Sequence, residues 1–315
     1  MNMKKFSILI VLVFAVQAAF SQGNPYSTVF TQYHVSPILI SPAAAGFSES
    51  HQLLMNVRAA WTGFPESPNT YAIGYNGPIG KTLGLGLQLL SETAGNVNSQ
   101  RVQLNYAFRY ELNKLKFAMG FSTEFLRMQL ANSVTQSSLY QPGDLIVEAA
   151  IEGNRTFDAS LGFHGTYDNK TYFGLTFSNL VLSKIGDIES GDPEGTFFRY
   201  FMLNFGHEFD IEQYNFKIRP SVMVQRIKDR PFQIDFNLLG SFIGDKLIAG
   251  ASYRAGLGGA VGLLLGTNVD VFRLYYGYDV SFQRYQRYNS GTHEVTIAFE
   301  FDGGKKKFDR SQGKR

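Results

Sequence analysis

One segment near the end of this chain alternates polar and apolar residues at every step, and the pattern recurs along most of the sequence. In residues 271–283 the apolar and aromatic positions are Phe272, Leu274, Tyr276, Tyr278, Val280 and Phe282. Because successive side chains of a β-strand point to opposite faces, such a strand has one face suited to lipid and one suited to water. Repeated with turn signals between the repeats, the pattern predicts a transmembrane β-barrel.

The first residues have the features of a secretion signal. Two lysines precede an apolar run over residues 8–16, and small residues follow at Ala19 and Ser21. This arrangement predicts a signal peptide over residues 1–21, with cleavage before Gln22. The apolar run is shorter than the roughly 20 residues that a membrane-spanning helix needs, and no later segment is apolar over that length. Strands are therefore the elements expected to cross a membrane.

The composition fits an exported barrel and argues against other classes. The 315 residues include no cysteine, which excludes a disulfide framework and lipidation at the cleavage point. Aromatic residues make up 15% of the chain, as expected if Phe and Tyr form girdles at the two membrane interfaces. The formal net charge of +3 is small and concentrated in the last residues, so no nucleic-acid partner is predicted.

About fourteen segments alternate in this way, an even number as in single-chain bacterial barrels. They lie near residues 51–60, 68–77, 82–93, 99–111, 115–128, 155–167, 170–179, 196–209, 214–226, 231–242, 246–255, 259–267, 270–283 and 291–302. Residues 51–302 are thus assigned to the barrel. The predicted fold class is all-β, a transmembrane antiparallel β-barrel of about fourteen strands.

The connections alternate in length as well. With the first strand running outward, the even-numbered connections are tight turns, at residues 78–81, 112–114, 168–169, 210–213, 243–245 and around Asn268. The two long connections, 129–154 and 180–195, are both odd-numbered. Barrels of this class have short periplasmic turns and longer extracellular loops. The two long loops are therefore predicted to lie together outside the cell.

Two segments of the mature chain fall outside the predicted strands. Residues 22–50 alternate poorly, and their prolines at positions 25, 37 and 42 disfavour a regular helix or a central strand. This segment is expected either to plug the lumen or to lie beneath it in the periplasm. Residues 303–315 form a basic tail that is expected to be periplasmic, either as a solvated end or as a docking arm.

Many ionisable residues occupy positions predicted to face the lumen. They are Arg101, Arg109, Glu208, Lys217, Arg219, Asp235, Arg273, Asp279, Glu294 and Glu300. Charges removed from bulk water need partners, so these residues can pair across the lumen and hold a narrow or plugged barrel together. They can also line a permeation or ligand pathway. The interleaving of both signs favours pairing.

The sequence shows no catalytic or cofactor-binding constellation. His164, His207 and His293 are isolated, and no His and carboxylate cluster has the spacing of a metal site. His293 and Glu294 are neighbours on the last strand and should point to opposite faces. The only tryptophan, Trp61, is expected to anchor the outer end of the first strand at the membrane interface. No enzyme activity, cofactor or metal is predicted.

Two groups of residues, one near each end of the mature chain, form recognisable motifs. The first comprises Gln32, Tyr33, Pro37, Pro42, Ala43 and Gly46, followed by Arg58, Trp61, Gly63 and Pro68. The second comprises Tyr275-Tyr276-Gly277-Tyr278-Asp279 and Gly291-Thr292-His293-Glu294-Val295. Together they resemble the terminal signatures of the PorP/SprF family, outer-membrane components of the type IX secretion system and the associated gliding machinery. The chain departs from the usual family pattern at Ser41 and Ala60.

The resemblance implies a non-enzymatic barrel in contact with outer-membrane lipid. It implies support for the export or surface anchoring of adhesin-like cargo proteins that carry a carboxy-terminal sorting domain. For one branch of the family it also implies contact with the periplasmic lipoprotein ring of the secretion machine. The motif residues are expected to fold the amino-terminal segment against the barrel or to serve in docking. The alternative is a diffusion channel or small-molecule transporter, which the charged inward faces would suit.

Overall fold

The computed structural model describes residues 30–136, 140–141, 143–181, 183–184, 200–227, 231–256 and 258–302. The predicted signal peptide, the cleavage site before Gln22, most of the second long loop and the basic tail lie outside the described residues. Within the part of the chain that the structure describes, no helix is long and apolar enough to cross a membrane.

Strands make up most of the described chain. They are β1 His51–Ala59, β2 Asn69–Ile79, β3 Leu83–Ala94, β4 Val97–Leu112, β5 Leu115–Leu130, β6 Asn154–Tyr167, β7 Thr171–Phe177, β8 Ser183–Lys184, β9 Phe201–His207, β10 Phe209–Ile211, β11 Phe216–Arg226, β12 Gln233–Phe242, β13 Leu247–Ala255, β14 Ala260–Val269, β15 Phe272–Ser281 and β16 Thr292–Phe301. β9 and β10 form one barrel strand interrupted at Glu208, since both pair with β11. The short β8 pairs with β6 off the ring. The ring therefore has fourteen strands, which confirms the prediction.

The sheet closes on itself. Each barrel strand pairs antiparallel with the barrel strand that follows it in the chain, and β16 pairs antiparallel with β1. In this closing pair His51 lies opposite Phe301, and Arg58 lies opposite Glu294. Closure satisfies the backbone groups that an open sheet would leave unpaired at its edges.

β2 shows how the two faces of the barrel differ. Tyr71, Ile73 and Tyr75 are 54%, 47% and 44% exposed on the outside, whereas Ala72 between them is 5% exposed. Exposed Leu, Phe and Tyr side chains recur in the same way along β3, β4, β5 and β12. Apolar area of this extent on the outside of a closed sheet fits lipid rather than water. The alternation in the sequence therefore predicts the lipid-facing surface correctly.

Tight turns join the strands at one end of the barrel. Left-handed backbone conformations mark these turns, for example at Asn113 (φ 53°), Asn169 (φ 55°) and Asp270 (φ 49°). Asn and Asp tolerate this conformation better than most residues. The turn predicted around Asn268 lies two residues later, because Asn268 still pairs with Arg273 in the β14–β15 ladder.

The long connections lie at the opposite end of the barrel. The first contains a 3-10 turn at Asn132–Gln136 and the short helix α1 at Leu145–Glu152. The second lies mostly outside the described residues. The connections at the tight-turn end are thus short, as predicted, but the opposite end also has a short connection, of two residues, between Ala94 and Val97. The assignment of the long-loop end to the cell exterior remains a prediction.

Residues 30–50, named here the inner segment, run inside the barrel. The Tyr33 hydroxyl accepts a hydrogen bond from Asn237 on β12 at 2.7 Å, and the Gly46 amide donates one to Asn76 on β2 at 3.1 Å. The segment contains two 3-10 turns, Pro37–Leu39 and Pro42–Ala44, each beginning with a proline. A buried apolar cluster joins it to the wall and comprises Phe30, Ile38, Leu39, Ala44, Ala45, Leu54, Ala72, Ala107 and Ala298.

Ionisable residues on the inward faces pair with one another. The pairs are Arg101 with Glu124 (3.7 Å), Lys217 with Glu208 (3.5 Å), Arg219 with Glu208 (3.5 Å), Arg254 with Asp235 (3.2 Å) and Arg273 with Glu300 (2.8 Å). Arg109 instead donates to the backbone oxygens of Gly46 and Gly80, at 2.7 and 3.0 Å. The interleaving of both charge signs in the sequence favours such pairing over a permeation or ligand pathway, and the structure shows these pairs.

Candidate functional site

Glu294 is the point at which the beginning of the inner segment meets the barrel wall, and it is 1% exposed. Its Oε2 accepts hydrogen bonds from the amide and hydroxyl of Thr31, at 3.1 and 2.5 Å, and from Nη1 of Arg58 at 2.9 Å. Its Oε1 accepts from the Gln32 amide at 3.3 Å and from Nδ2 of Asn56 at 3.0 Å. Gln32 also donates from Nε2 to the backbone oxygen of Glu294 at 2.9 Å. A single buried carboxylate therefore links the inner segment, β1 and β16.

The register of the closing strands brings these residues together. Arg58 lies directly opposite Glu294 in the β1–β16 pair, and Asn56 lies opposite Thr296. Arg58, Asn56 and Glu294 occupy alternate, inward positions on their strands, so barrel closure places all three in the lumen. Three residues of the sequence motifs, Gln32, Arg58 and Glu294, meet in this cluster.

A row of alternating charges extends from this cluster along the wall. Arg58 lies 3.5 Å from Asp279, which lies 3.9 Å from Arg254. Arg254 in turn contacts Asp235 at 3.2 Å. Removing one member of a buried pair leaves an uncompensated charge, which costs about 3–5 kcal/mol, whereas the intact pair adds little net stability. The intact row therefore adds little net stability to the barrel, but losing any one of its members would be costly.

Burial shifts the titration of two neighbouring side chains of the inner segment. It raises the pKa of the Tyr33 hydroxyl above the usual range, and the Asp235 carboxylate adds to the shift, while the hydrogen bond from Asn237 opposes it. Burial lowers the pKa of His34 from 6.5 to about 4; the Glu294 carboxylate opposes this shift and the Arg219 guanidinium reinforces it. Both side chains are thus neutral at physiological pH.

The second half of the inner segment packs against glycines of β5 and β6. A Cβ added to Gly120 would lie 2.5 Å from the Cα of Ala43, and one added to Gly162 would lie 2.7 Å from Oγ of Ser41. Both distances are too short for a real side chain, so only glycine leaves room for the segment there. Gly46 ends this stretch with a left-handed φ of 60°, which suits glycine.

Trp61 and Pro68 lie apart from the cluster, in the connection between β1 and β2. The Ala60 amide donates to the Pro68 oxygen at 2.8 Å, and the Trp61 amide donates to Oγ1 of Thr292 at 3.2 Å. Trp61 is 39% exposed and lines a cavity of about 380 Å³ together with Phe64. These residues fix the connection at the long-loop end, and the role of Trp61 as an interface anchor stays a prediction.

His293 also lies apart from the cluster. Its Nδ1 is 2.7 Å from the Tyr276 hydroxyl, and its ring centroid is 5.0 Å from that of Tyr278. These side chains belong to the outward face, whereas Glu294 points inward. The prediction that His293 and Glu294 point to opposite faces is therefore confirmed.

The sequence motifs do not include Thr31, Asn56 or His34. The sequence could have predicted that Asn56 faces inward, because it lies two residues before Arg58 on the same strand and the side chains of a strand alternate between its faces. Thr31 and His34 belong to a segment without periodicity, so no local pattern predicts their partners. No group of three or more His, Cys, Asp or Glu side chains within the described ranges could hold a metal ion.

Comparison with known proteins supplies a family for this architecture. Residues 22–299 match the family described as "Type IX secretion system membrane protein PorP/SprF". No curated protein matches the chain.

Solved structures show similarity in fold. A TodX deltaS2S3 mutant monoaromatic hydrocarbon channel gives a TM-score of 0.53 at 10% identity, covering 85% of this chain and 94% of that chain. The Pseudomonas putida toluene transporter TodX gives 0.51 at 10% identity, covering 86% and 93%. At such low identity the similarity shows a shared barrel fold and nothing about substrates. The family and the fold indicate an outer-membrane β-barrel, and the chain belongs to the PorP/SprF family of type IX secretion system membrane proteins.

Proposed function

We propose that this barrel supports the export or surface anchoring of adhesin-like proteins that carry a carboxy-terminal sorting domain. The observation that carries the proposal is membership of the PorP/SprF family. The position of the long connections at one end of the closed barrel supports it. In this proposal the loops 129–154 and 180–195 engage the cargo outside the cell. The periplasmic side, including the basic tail 303–315, meets the secretion machinery, such as its lipoprotein ring.

The described part of the first long loop includes a short helix that could contact cargo. The Val147 amide donates to Oδ1 of Asp144 at 3.3 Å, and the Glu148 amide donates to the Asp144 backbone oxygen at 2.9 Å. These contacts order the start of α1, where an Asp side chain is a favourable cap. Leu145 at the first turn of α1 is 77% exposed. In this proposal the exposed Leu145 side chain contacts the cargo.

The inner segment supports an anchor over an open diffusion channel. It crosses the lumen between β2 and β12 and buries an apolar cluster against the wall. A lumen occupied in this way should pass little current. We propose that residues 22–50 act as a plug, and that Gln32, Tyr33, Pro37, Pro42, Ala43 and Gly46 hold it against the wall.

A pull-down from the native outer membrane tests the cargo proposal. The protein is tagged near residue 137, extracted in mild detergent, and its co-purifying proteins are identified by mass spectrometry. We expect recovery of a large surface protein through its sorting domain. Recovery of the barrel alone, from membranes shown to contain such a protein, would refute cargo binding.

A pair of variants tests the surface of α1. Leu145→Asp places a charge on the 77% exposed position at the long-loop end, and Tyr214→Asp does so at a 73% exposed position of a tight turn. We expect the first variant to reduce cargo recovery and the second to leave it unchanged. Equal recovery with both variants would exclude Leu145 as a contact.

A further inference from the structure

Two cavities lie between the inner segment and the wall formed by β11–β16. The larger has a volume of about 290 Å³, opens toward the tight-turn end, and is lined by Arg219, Arg273, Asp245 and Glu300 among others. The smaller has a volume of about 20 Å³ and lies on the other side of His34, toward Asp279. Since one water needs roughly 10–15 Å³, even the smaller cavity can hold a water molecule.

His34 separates the two cavities. It lines both of them, as does Leu239 from β12 on the opposite wall. Both ring nitrogens of His34 are buried and have no hydrogen-bond partner among the described residues. The Ser36 hydroxyl in the same stretch is likewise buried without a partner there. Buried polar atoms that find no protein partner are normally satisfied by solvent, since leaving them unpaired costs about 1–3 kcal/mol.

Both cavities have polar groups in a mixed lining, and apolar residues such as Leu239 and Leu264 contribute to the smaller one. The larger cavity carries arginines and carboxylates in alternation, and the smaller is bordered by Asn237, Ser252 and Asp279. Both charge signs are present, so the lining selects for neither cations nor anions. At its far end Asp279 is paired directly with Arg58 at 3.5 Å and with Arg254 at 3.9 Å, so a buried row of charges borders the smaller cavity.

We infer that the two cavities are parts of one narrow conduit for water and small hydrophilic ions, closed at His34 by the inner segment. The constriction consists of the imidazole of His34 on one side and the Leu239 side chain on the other. This closed conduit is a feature of the lumen, and it does not depend on cargo anchoring. We expect the wild-type protein to be nearly silent, because His34 and Leu239 both border the two cavities, and shortening either side chain should join them.

Single-channel conductance in a planar bilayer tests the inference. We expect His34→Ala to conduct severalfold more than the wild type. His164→Ala is the matched control, because His164 is also a buried lumen histidine but packs against Phe47 on the β6 side, with ring centroids 4.6 Å apart. A conductance of His34→Ala equal to that of the wild type, or an equal rise in both variants, would overturn the inference.

Leu239→Ala provides a second variant should the loss of His34 prevent folding. It widens the same constriction from the barrel wall, so it is expected to raise conductance as well. Wild-type conductance in a folded Leu239→Ala variant would also count against the conduit. Cargo recovery should be unchanged in these variants, so failure of the conduit and failure of cargo binding are separately visible.

Cysteine chemistry gives a readout that is independent of current, since the chain contains no cysteine. Ser252→Cys reports on the smaller cavity and Asn268→Cys on the larger one. A small charged methanethiosulfonate should modify Asn268→Cys in every background. It should modify Ser252→Cys faster when His34→Ala is also present. Equal rates for Ser252→Cys in both backgrounds would show that His34 is not the barrier.

Discussion

Glu294→Gln is the perturbation that bears most directly on how the inner segment is held. Glutamine has one side-chain oxygen, so it replaces only one of the two carboxylate oxygens. In the better orientation this oxygen takes the place of Oε2 and keeps the donors of Thr31 and Arg58. The new NH₂ group then faces the Gln32 amide and Nδ2 of Asn56, both of which are donors. Two hydrogen bonds to a charged acceptor are lost.

The expected cost follows from these contacts. A hydrogen bond to a charged group contributes about 1.5–3 kcal/mol, and breaking a buried ion pair costs about 3–5 kcal/mol. One of the two lost bonds is long, at 3.3 Å, and Arg58 retains Asp279 at 3.5 Å. We therefore expect the docking of residues 30–36 to weaken by about 3 kcal/mol, roughly a hundredfold in the local opening equilibrium.

Hydrogen exchange measured by mass spectrometry reads this opening directly. Peptides covering residues 30–36 should lose protection in Glu294→Gln, while peptides from β3 to β5 should not. Glu300→Gln is the control, since Glu300 pairs with Arg273 at 2.8 Å but its side chain is 24% exposed. A pair of that exposure is expected to contribute about 1 kcal/mol or less. Unchanged protection of residues 30–36 in Glu294→Gln, or an equal loss in the control, would refute the reasoning.

Three further predictions concern packing, pH and position. Gly120→Ala should lower the free energy of unfolding in detergent by about 1–3 kcal/mol, because the added Cβ would lie 2.5 Å from Ala43. Gly74→Ala is the control and should cost less, because its added Cβ would meet its nearest neighbour at an ordinary 3.4 Å. The pKa of His34 is lowered from 6.5 to about 4, so its contribution to stability is complete above pH 6.5 and is lost as the pH falls toward 4. Denaturant midpoints across that window should therefore fall by less in His34→Asn than in the wild type. If Trp61 is an interface anchor, its fluorescence should be quenched more by lipids labelled near the headgroup than by lipids labelled at the bilayer centre.

The barrel itself could be predicted from the sequence because its determinants are local. A strand such as β15 alternates residue by residue, and each side chain reports its face without reference to distant partners. The parity of the connections then places the two long loops at one end. For the same reason the opposite orientation of His293 and Glu294 follows from their adjacency alone.

The path of the inner segment could not be predicted, because its contacts are distant in sequence. Thr31 and Glu294 are 263 residues apart, and Tyr33 and Asn237 are 204 residues apart. Residues 30–50 have no period, so the sequence leaves open whether they enter the lumen or lie beneath it. The available signal is indirect: the inward glycines Gly120 and Gly162 leave space on neighbouring strands that something must fill. The motif residues Gln32 and Arg58 both contact Glu294, and this shared contact exists only when β1 pairs with β16.

Closure of the ring also sets an order of assembly. Arg58 faces Glu294 only after β1 has paired with β16, which follows the other described strands in the chain. The amino-terminal residues Thr31 and Gln32 therefore reach their partner only when insertion is complete. We expect residues 30–36 of a chain truncated before β16 to stay open to a periplasmic protease, and those of the full chain to be protected. Protection of residues 30–36 by the buried carboxylate of Glu294 would then distinguish a completely inserted barrel from an incomplete one in the cell. Equal cleavage of the truncated and full chains would exclude this role.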